Sequence, residues 1–133
     1  MTTPNNSVEL AAAVVNGCNV FRALDLDETK QQVKSTTGHV YSIFAMNMTA
    51  APLYLKIWFL KSSSVTVGTT GPNIVIPLPT LGTTNGAGVV WDNVYGMTIP
   101  TSTGITCACT TGVADTDTTG PATNGCIVNI AYK

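Results

Sequence analysis

The chain has 133 residues, with six basic and seven acidic side chains and a net charge of −1 at neutral pH. This length suits one domain that needs no disulfide or metal to hold its core, and the scattered basic residues form no patch that could neutralise nucleic-acid phosphates. Charged residues make up only 10% of the chain, against about 25% in an average soluble domain, which indicates either extensive packing against other subunits or simply a Thr-rich β surface.

The N-terminal segment is the least decisive part of the sequence. Residues 1–7 are polar, and Val8–Val15 is an Ala-rich apolar segment that fits either a short helix or an extended strand. The chain start lacks the basic and apolar regions of a signal peptide, and no apolar run is as long as a membrane span, so we expect the chain to stay in the compartment where it is made. We assign residues 1–19 to an N-terminal arm and residues 20–133 to one domain.

From residue 19 onward the sequence predicts β-strands separated by turns rich in Gly, Pro and Asn. The predicted strands span 19–26, 30–36, 39–48, 53–60, 73–81, 95–100, 104–110 and 126–132, where 95–100 and 104–110 are either two short strands or one broken strand. Residues 65–67 and 89–91 are predicted to be brief extended segments. The alternation of strand 39–48 switches sides near Ala45. Pro77 and Pro79 remove ladder donors, so their strand lies at a sheet edge or ends there.

These strands predict an all-β fold. Parallel sheets need crossover connections, usually helices, and the sequence contains no convincing one, so we expect antiparallel pairing. About eight strands of this length fit a single-domain β-sandwich or jelly roll.

One strand combines strong apolar character with a possible binding face. Residues 53–60 contain few polar positions, so we expect both faces of this strand to be covered. Tyr54, Lys56 and Trp58 nevertheless share one side, which predicts that this side is partly wet. Its aromatic side chains are then either core residues or an exposed platform for a sugar or a protein partner.

Candidate catalytic groups are few and isolated. His39 is the single histidine and stands at the start of a strand with no evident partner. Asp25-x-Asp27-Glu28 and Asp115-x-Asp117 are carboxylate pairs of the kind that bind calcium or hydrolyse glycosides, but neither has EF-hand spacing, and Asp in turns commonly accepts local backbone N–H bonds. No nucleophile elbow, phosphate loop or dinucleotide fingerprint occurs. We therefore predict a protein that is not an enzyme and has no catalytic, cofactor or metal site.

The four cysteines are Cys18, Cys107, Cys109 and Cys126. Cys107 and Cys109 are two residues apart in a predicted strand, so they share a face, and no zinc-ligand spacing is present. We predict small, buried, reduced thiols. The alternative is one disulfide between neighbouring strands that involves Cys126.

Four stretches of the sequence have a familiar arrangement of strands and turns: VYSIFAMNMTAAPLYLKIWF, VTVGTTGPNIVIPLPTLG, GVADTDTTG and the final CIVNIAYK. Two apolar strands joined by an Ala-Pro turn precede a VTVGTT-type turn and a Pro-bearing strand, and an acidic loop leads to a last strand that ends in Tyr-Lys. This arrangement, over residues 40–133, resembles the small head decoration (cement) proteins of tailed phages, including those that infect cyanobacteria.

The resemblance implies a structural virion protein. It implies a jelly-roll knob that forms a homotrimer and is made in the host cytoplasm. This trimer would bind the major capsid protein on the outer capsid surface and stabilise the lattice. The role involves no cofactor, nucleic acid or membrane. Residues 1–19 are then a hypothetical latch on a neighbouring subunit. The alternatives are a phage tail, baseplate or fibre module that recognises a host glycan or protein, and a cellular carbohydrate-binding sandwich.

Overall fold

The structure, a computed structural model, describes residues 8–15, 17–80, 87–92, 99–101 and 103–133, and these residues are mainly β-strands and turns. The strands are β1 (Val8–Val15), β2 (Cys18–Ala23), β3 (Gln31–Lys34), β4 (Gly38–Asn47), β5 (Leu53–Trp58), β6 (Ile74–Leu78), β7 (Ala87–Asp92), β8 (Ile99–Thr101), β9 (Ile105–Thr110) and β10 (Cys126–Tyr132). Within these ranges the helical structure is a single 3-10 turn at Ser62–Ser64, and no helix is long and apolar enough to span a bilayer.

The strands form two antiparallel sheets that pack face to face. Sheet A has the order β1-β2-β10-β4-β7, with β8 also pairing with β4, and sheet B has the order β3-β9-β5-β6. β7 and β8 follow one another along the same edge of β4, because β7 pairs with Ser42–Asn47 and β8 pairs with Gly38–Val40.

The pairing is nested in the way that defines a jelly roll. Beyond β1, the outermost pair is β2 with β10, the next pair is β3 with β9, then β4 pairs with β7 and β8, and the innermost pair is β5 with β6. This is one long hairpin folded across two sheets, as in a jelly roll. The predicted all-β antiparallel sandwich is confirmed.

Sequence prediction and structure differ at two places. Residues 8–15 form a strand that pairs with β2, so the segment assigned to the arm 1–19 contributes β1 and the start of β2 to sheet A, whereas residues 1–7 lie outside the described residues. Residues 65–67, predicted as a short extended piece, form no strand, because Val65 has an extended backbone but a turn begins at Val67. Part of the predicted strand 95–100 also falls outside the described residues.

The core lies between the sheets and is built from the inward side chains of both. β10 shows the simplest alternation, with Val128, Ile130 and Tyr132 buried and Ile127 and Asn129 half-buried. The buried core residues are Phe21, Ala23, Leu26, Val33, Val40, Ile43, Ala45, Leu53, Leu55, Ile57, Leu78, Ile105, Cys107, Cys109, Cys126, Val128, Ile130 and Tyr132.

β4 contains an irregularity that decides which of its side chains face outward. Tyr132 pairs with Val40 while Ala131 pairs with Ser42, so Tyr41 is an extra residue in the ladder. This is a β-bulge, which shifts the alternation by one residue. The predicted switch near Ala45 is therefore present but lies at Tyr41, and beyond it Ile43 and Ala45 face the core.

Candidate interaction surface

The outward side of sheet B is buried beneath two loops of the chain itself. These covering loops are residues 59–73, between β5 and β6, and residues 111–125, between β9 and β10. Lys56 and Trp58 lie on this side and are fully buried, and Tyr54 is half-buried. The prediction that this side is partly wet is wrong for Lys56 and Trp58, whereas the prediction that strand 53–60 is covered on both faces is confirmed for its central residues.

Each buried polar group on this side bonds to a covering loop. The Trp58 indole N–H donates to the Thr70 carbonyl at 2.8 Å, and the ring packs against Val65 in a small apolar cluster. The Lys56 ammonium donates to the Ala114 carbonyl at 2.6 Å. A buried ammonium needs such an oxygen partner because an unsolvated charge costs several kcal/mol.

The loop 59–73 is held by further bonds of the same kind. The Lys30 ammonium donates to the carbonyl oxygens of Ser62, at 2.6 Å, and Val65. The buried Thr106 hydroxyl donates to the Leu60 carbonyl at 2.7 Å. The central strands β5 and β9 of sheet B are therefore largely covered by loop residues, whereas its edge strands β3 and β6 keep part of their surface in solvent.

Sheet A differs because the outward side of its central strands keeps part of its surface in solvent. Cross-strand pairing places Arg22 beside Asn129 and Asn129 beside Phe44 in one row. Phe44 is 43% exposed, more than any other aromatic side chain whose burial the structure describes. We call this surface the open face of sheet A; its side chains are Arg22, Ser42, Phe44, Met46, Ile127 and Asn129.

The open face carries little charge. Arg22 is the single charged residue of the six, and the others are apolar or neutral hydrogen-bonding side chains. Interface cores have this composition, because aromatic residues, Met and Arg are enriched there and Lys, Glu and Asp are depleted. The face is therefore chemically suited to close contact with another protein surface.

His39 lies at the start of β4, beside the C-terminal residue. Its backbone N–H donates to the Lys133 carbonyl at 2.8 Å, and its own carbonyl accepts from Lys133 at 3.0 Å. The His39 and Tyr41 rings are 6.1 Å apart between centroids, and the Lys133 ammonium lies 5.8 Å from the Tyr41 centroid. These contacts hold the C-terminus to the sheet and give the imidazole a packing role.

The first carboxylate pair does not converge on one point. Asp25 is buried and accepts a bond from the Asn124 backbone N–H at 2.6 Å, which fastens the loop 111–125 to the segment after β2. Asp27 instead accepts from the Thr29 N–H at 2.8 Å, two residues away. Each therefore serves the local backbone, as Asp residues in turns commonly do.

The second pair behaves in the same way. Asp117 accepts bonds from the Gly112 N–H at 2.6 Å and from the Thr119 hydroxyl at 2.8 Å. The Thr119 hydroxyl is the main cause that lowers the pKa of Asp117, and the Gly112 N–H and the Lys56 charge act in the same direction. Asp115 is exposed. In the part of the chain that the structure describes, no group of three or more His, Cys, Asp or Glu side chains is placed to hold a metal ion.

All four cysteines are free and buried. Burial, together with the neighbouring Cys109, raises the pKa of the Cys107 thiol. The hydrogen bond with Cys109 raises the pKa of the Cys126 thiol, and burial adds to it. Thiols in this state are unreactive while the sandwich is closed, as expected for the reduced, buried cysteines that the sequence predicts.

Comparison with protein-family models, curated proteins and solved structures finds no match to this chain. Its function must therefore be argued from the geometry described above and from the sequence.

Phe44 is the residue of the open face that the sequence analysis did not single out. The signal was present, because Ser42, Phe44 and Met46 alternate with the apolar Ile43 and Ala45. The prediction placed the switch in the alternation of this strand near Ala45, whereas the β-bulge that causes it lies at Tyr41.

Proposed function

We propose that this chain is a structural virion protein, a capsid decoration (cement) protein that binds the outer surface of a phage head through the open face of sheet A. The observation that carries the proposal is the contrast between the two outward faces: loops of the chain cover the central strands of sheet B, and the central strands of sheet A leave Phe44 exposed among neutral neighbours. The sequence resemblance to phage decoration proteins supplies the identity of the partner, the major capsid protein.

The size of the open face suits such a contact. The three strands that carry the open face, β2, β10 and β4, are spaced about 4.8 Å apart and span some six residues of about 3.4 Å each, which gives roughly 300 Å² of flat sheet. Each partner of a standard protein interface contributes about 800 Å² of accessible surface, and protruding side chains raise the accessible area above the flat one. The face is therefore large enough to form the centre of one specific interface.

The stabilising mechanism is thermodynamic linkage. A protein that binds the expanded shell and not its unassembled subunits stabilises that shell by about 2.7 kcal/mol per site at a hundredfold excess over Kd. Because this stabilisation repeats at every site of the lattice, even a modest affinity makes the whole shell more resistant to the pressure of the packaged genome. This role needs a binding surface and no reactive group.

A tail or fibre module that binds a host glycan is the alternative function. It depended on an aromatic platform at Tyr54 and Trp58, and the burial of Trp58 under Thr70 weighs against it. The homotrimer that the sequence resemblance implies remains part of the proposal. Native mass spectrometry of the purified chain tests it, and a monomer at every concentration refutes that part.

Localisation on the particle is the direct test. Gold-conjugated antibody against the purified chain, applied to virions of the phage that encodes it, should label heads in a regular array. Label confined to tails supports the alternative, and particles without label refute both virion roles.

A pair of matched variants tests the surface. Phe44→Asp places a charge on the open face, whereas Val113→Asp places the same charge on loop 111–125, where Val113 is 58% exposed. Phe44→Asp should weaken binding to heads stripped of the chain roughly tenfold or more, as loss of an aromatic anchor does, and Val113→Asp should bind like the unchanged chain. Equal affinity of both variants refutes the assigned face.

The latch hypothesis needs a deletion that respects the fold. Removing residues 1–19 also removes β1, whose Val8–Leu10 pair with β2, and would confuse loss of contact with loss of structure. Deleting residues 1–7 should weaken retention on heads while leaving the urea midpoint unchanged. Unchanged retention rules the latch out.

A further inference from the structure

Three thiols meet in the core where the two sheets face each other. Cys107 and Cys109 lie on the inward side of β9 in sheet B, and Cys126 is the first residue of β10 in sheet A. All three are fully buried. The Cys109 thiol is the hydrogen-bond partner of the Cys126 thiol, across the gap between the sheets.

The backbone holds the same two residues to one short segment. The Leu26 N–H donates to the Cys126 carbonyl at 3.0 Å, and the Cys109 N–H donates to the Asp27 carbonyl at 2.8 Å. Leu26 and Asp27 are consecutive, with Cα atoms about 3.8 Å apart. The main chain therefore places both cysteines beside the same segment, in addition to the hydrogen bond between their thiols.

We propose that Cys109 and Cys126 form a site of oxidative modification, at which a low-molecular-weight disulfide such as oxidised glutathione converts the two thiols into a disulfide that joins sheet B to sheet A. The thiolate of one cysteine attacks a glutathione sulfur, the glutathione S–S bond breaks, and one glutathione thiolate leaves. The second cysteine thiolate attacks the mixed disulfide and releases the other glutathione. Overall the two cysteines lose two protons and two electrons, and oxidised glutathione is reduced to two thiols.

Burial sets the conditions under which the exchange occurs. The attacking group must be a thiolate, and the oxidant must be able to reach it. In the closed sandwich the thiols are protonated and buried, so neither condition is met. Exchange therefore proceeds through local opening. It is slow in native buffer and accelerates in a denaturant concentration below the unfolding transition.

The bond has a definite structural consequence. It closes residues 110–125 into a loop, and most of this segment is the covering loop that seals Lys56 on the outside of sheet B. Closing such a loop restricts the unfolded chain and raises stability. The inference concerns the isolated chain and does not depend on the proposed capsid role.

The test uses the purified full-length chain, reduced and freed of reductant. It is incubated with oxidised glutathione in native buffer and in urea below the transition, returned to native buffer, then unfolded and alkylated with N-ethylmaleimide. The unoxidised chain should gain four maleimide adducts and the oxidised chain two, with no bound glutathione. Peptide mapping without reductant should join Cys109 to Cys126, and the melting temperature should rise and return to its starting value with dithiothreitol.

Four alanine variants serve as matched controls. Cys109→Ala and Cys126→Ala should abolish the loss of two adducts, and Cys18→Ala and Cys107→Ala should retain it. Mapping of the unchanged chain decides the result if an alanine variant fails to fold. Four remaining adducts after the urea incubation, stable mixed disulfides, or a bridge that involves Cys107 would each overturn the proposal.

Discussion

Asn47 is the polar side chain whose removal tests the architecture most directly. It is the last residue of β4 and is fully buried. Its amide nitrogen donates to the carbonyls of Ala51, at 2.8 Å, and Leu78, at 3.0 Å, and its amide oxygen accepts from the N–H and hydroxyl of Thr49, at 2.8 and 2.7 Å. The bond to Leu78 connects sheet A to the last residue of β6 in sheet B.

We expect Asn47→Ala to lower the free energy of unfolding by about 2.5–6 kcal/mol, the sum of the costs of four lost hydrogen bonds. The carbonyl of the buried Leu78 loses a partner that water does not readily replace, which costs about 1–3 kcal/mol. The groups on Ala51 and Thr49 lie nearer to solvent, so each lost bond there costs about 0.5–1 kcal/mol. A loss of this size is a large share of the stability of about 5–15 kcal/mol that a domain typically has.

Urea unfolding followed by tryptophan fluorescence measures the effect. An m-value equal to that of the unchanged chain checks that unfolding remains two-state. Asn73→Ala is the control, because Asn73 is exposed and its amide oxygen accepts one bond, from the Phe59 N–H at 2.8 Å. It should cost less than about 1 kcal/mol. If the two variants lose similar stability, the amide of Asn47 does not join the sheets and the reasoning fails.

Two further substitutions probe the covering loops. Trp58→Phe keeps most of the ring and loses the bond to the Thr70 carbonyl, so it should cost about 1–2 kcal/mol and speed proteolysis within loop 59–73; unchanged cleavage counts against the seal. Asp117 has a pKa below its ordinary 3.8, chiefly through the Thr119 hydroxyl, so its contribution is complete above the ordinary value and is lost as pH falls through the lower folded value. Asp117→Asn should remove that part of the acid dependence of the urea midpoint, and an unaltered pH profile would contradict it.

The strands that sequence reasoning located best are those governed by local rules. Strand 126–132 matches β10 residue for residue, because its alternation is uninterrupted and the Gly-rich loop 111–125 precedes it. Strand 53–60 contains β5, and its apolar run correctly predicted cover on both faces. Period-two alternation and turn residues are local signals that extend over a few positions. They predict these strands well because the strands are determined by residues within that same short range.

The errors arose where distant residues decide the outcome. Lys56 predicted a wet face because an ammonium is rarely buried, but its partner is the Ala114 carbonyl, 58 positions along the chain. Residues 65–67 have a strand-like composition, yet Val65 packs on Trp58 as part of a covering loop. Neither pairing leaves a local trace, since each depends on how the two loops fold back after the sheets have formed.

The asymmetry of the two outward faces follows from the nested topology. The loops 59–73 and 111–125 both leave strands of sheet B, β5 and β9, and the buried groups that receive them, Trp58 and Lys56, stand on β5. The central outward residues of sheet B are therefore buried and hydrogen-bonded by loops of the same chain. The apolar side chains on the central strands of sheet A, in contrast, keep part of their surface in water. Burying apolar area is the main favourable term in association, and a face with one charged residue among six loses little in desolvation. Under the proposed capsid role, a partner protein would therefore gain more free energy by docking on Phe44 and its neighbours than on the covered strands of sheet B, and this difference would orient the chain on the shell.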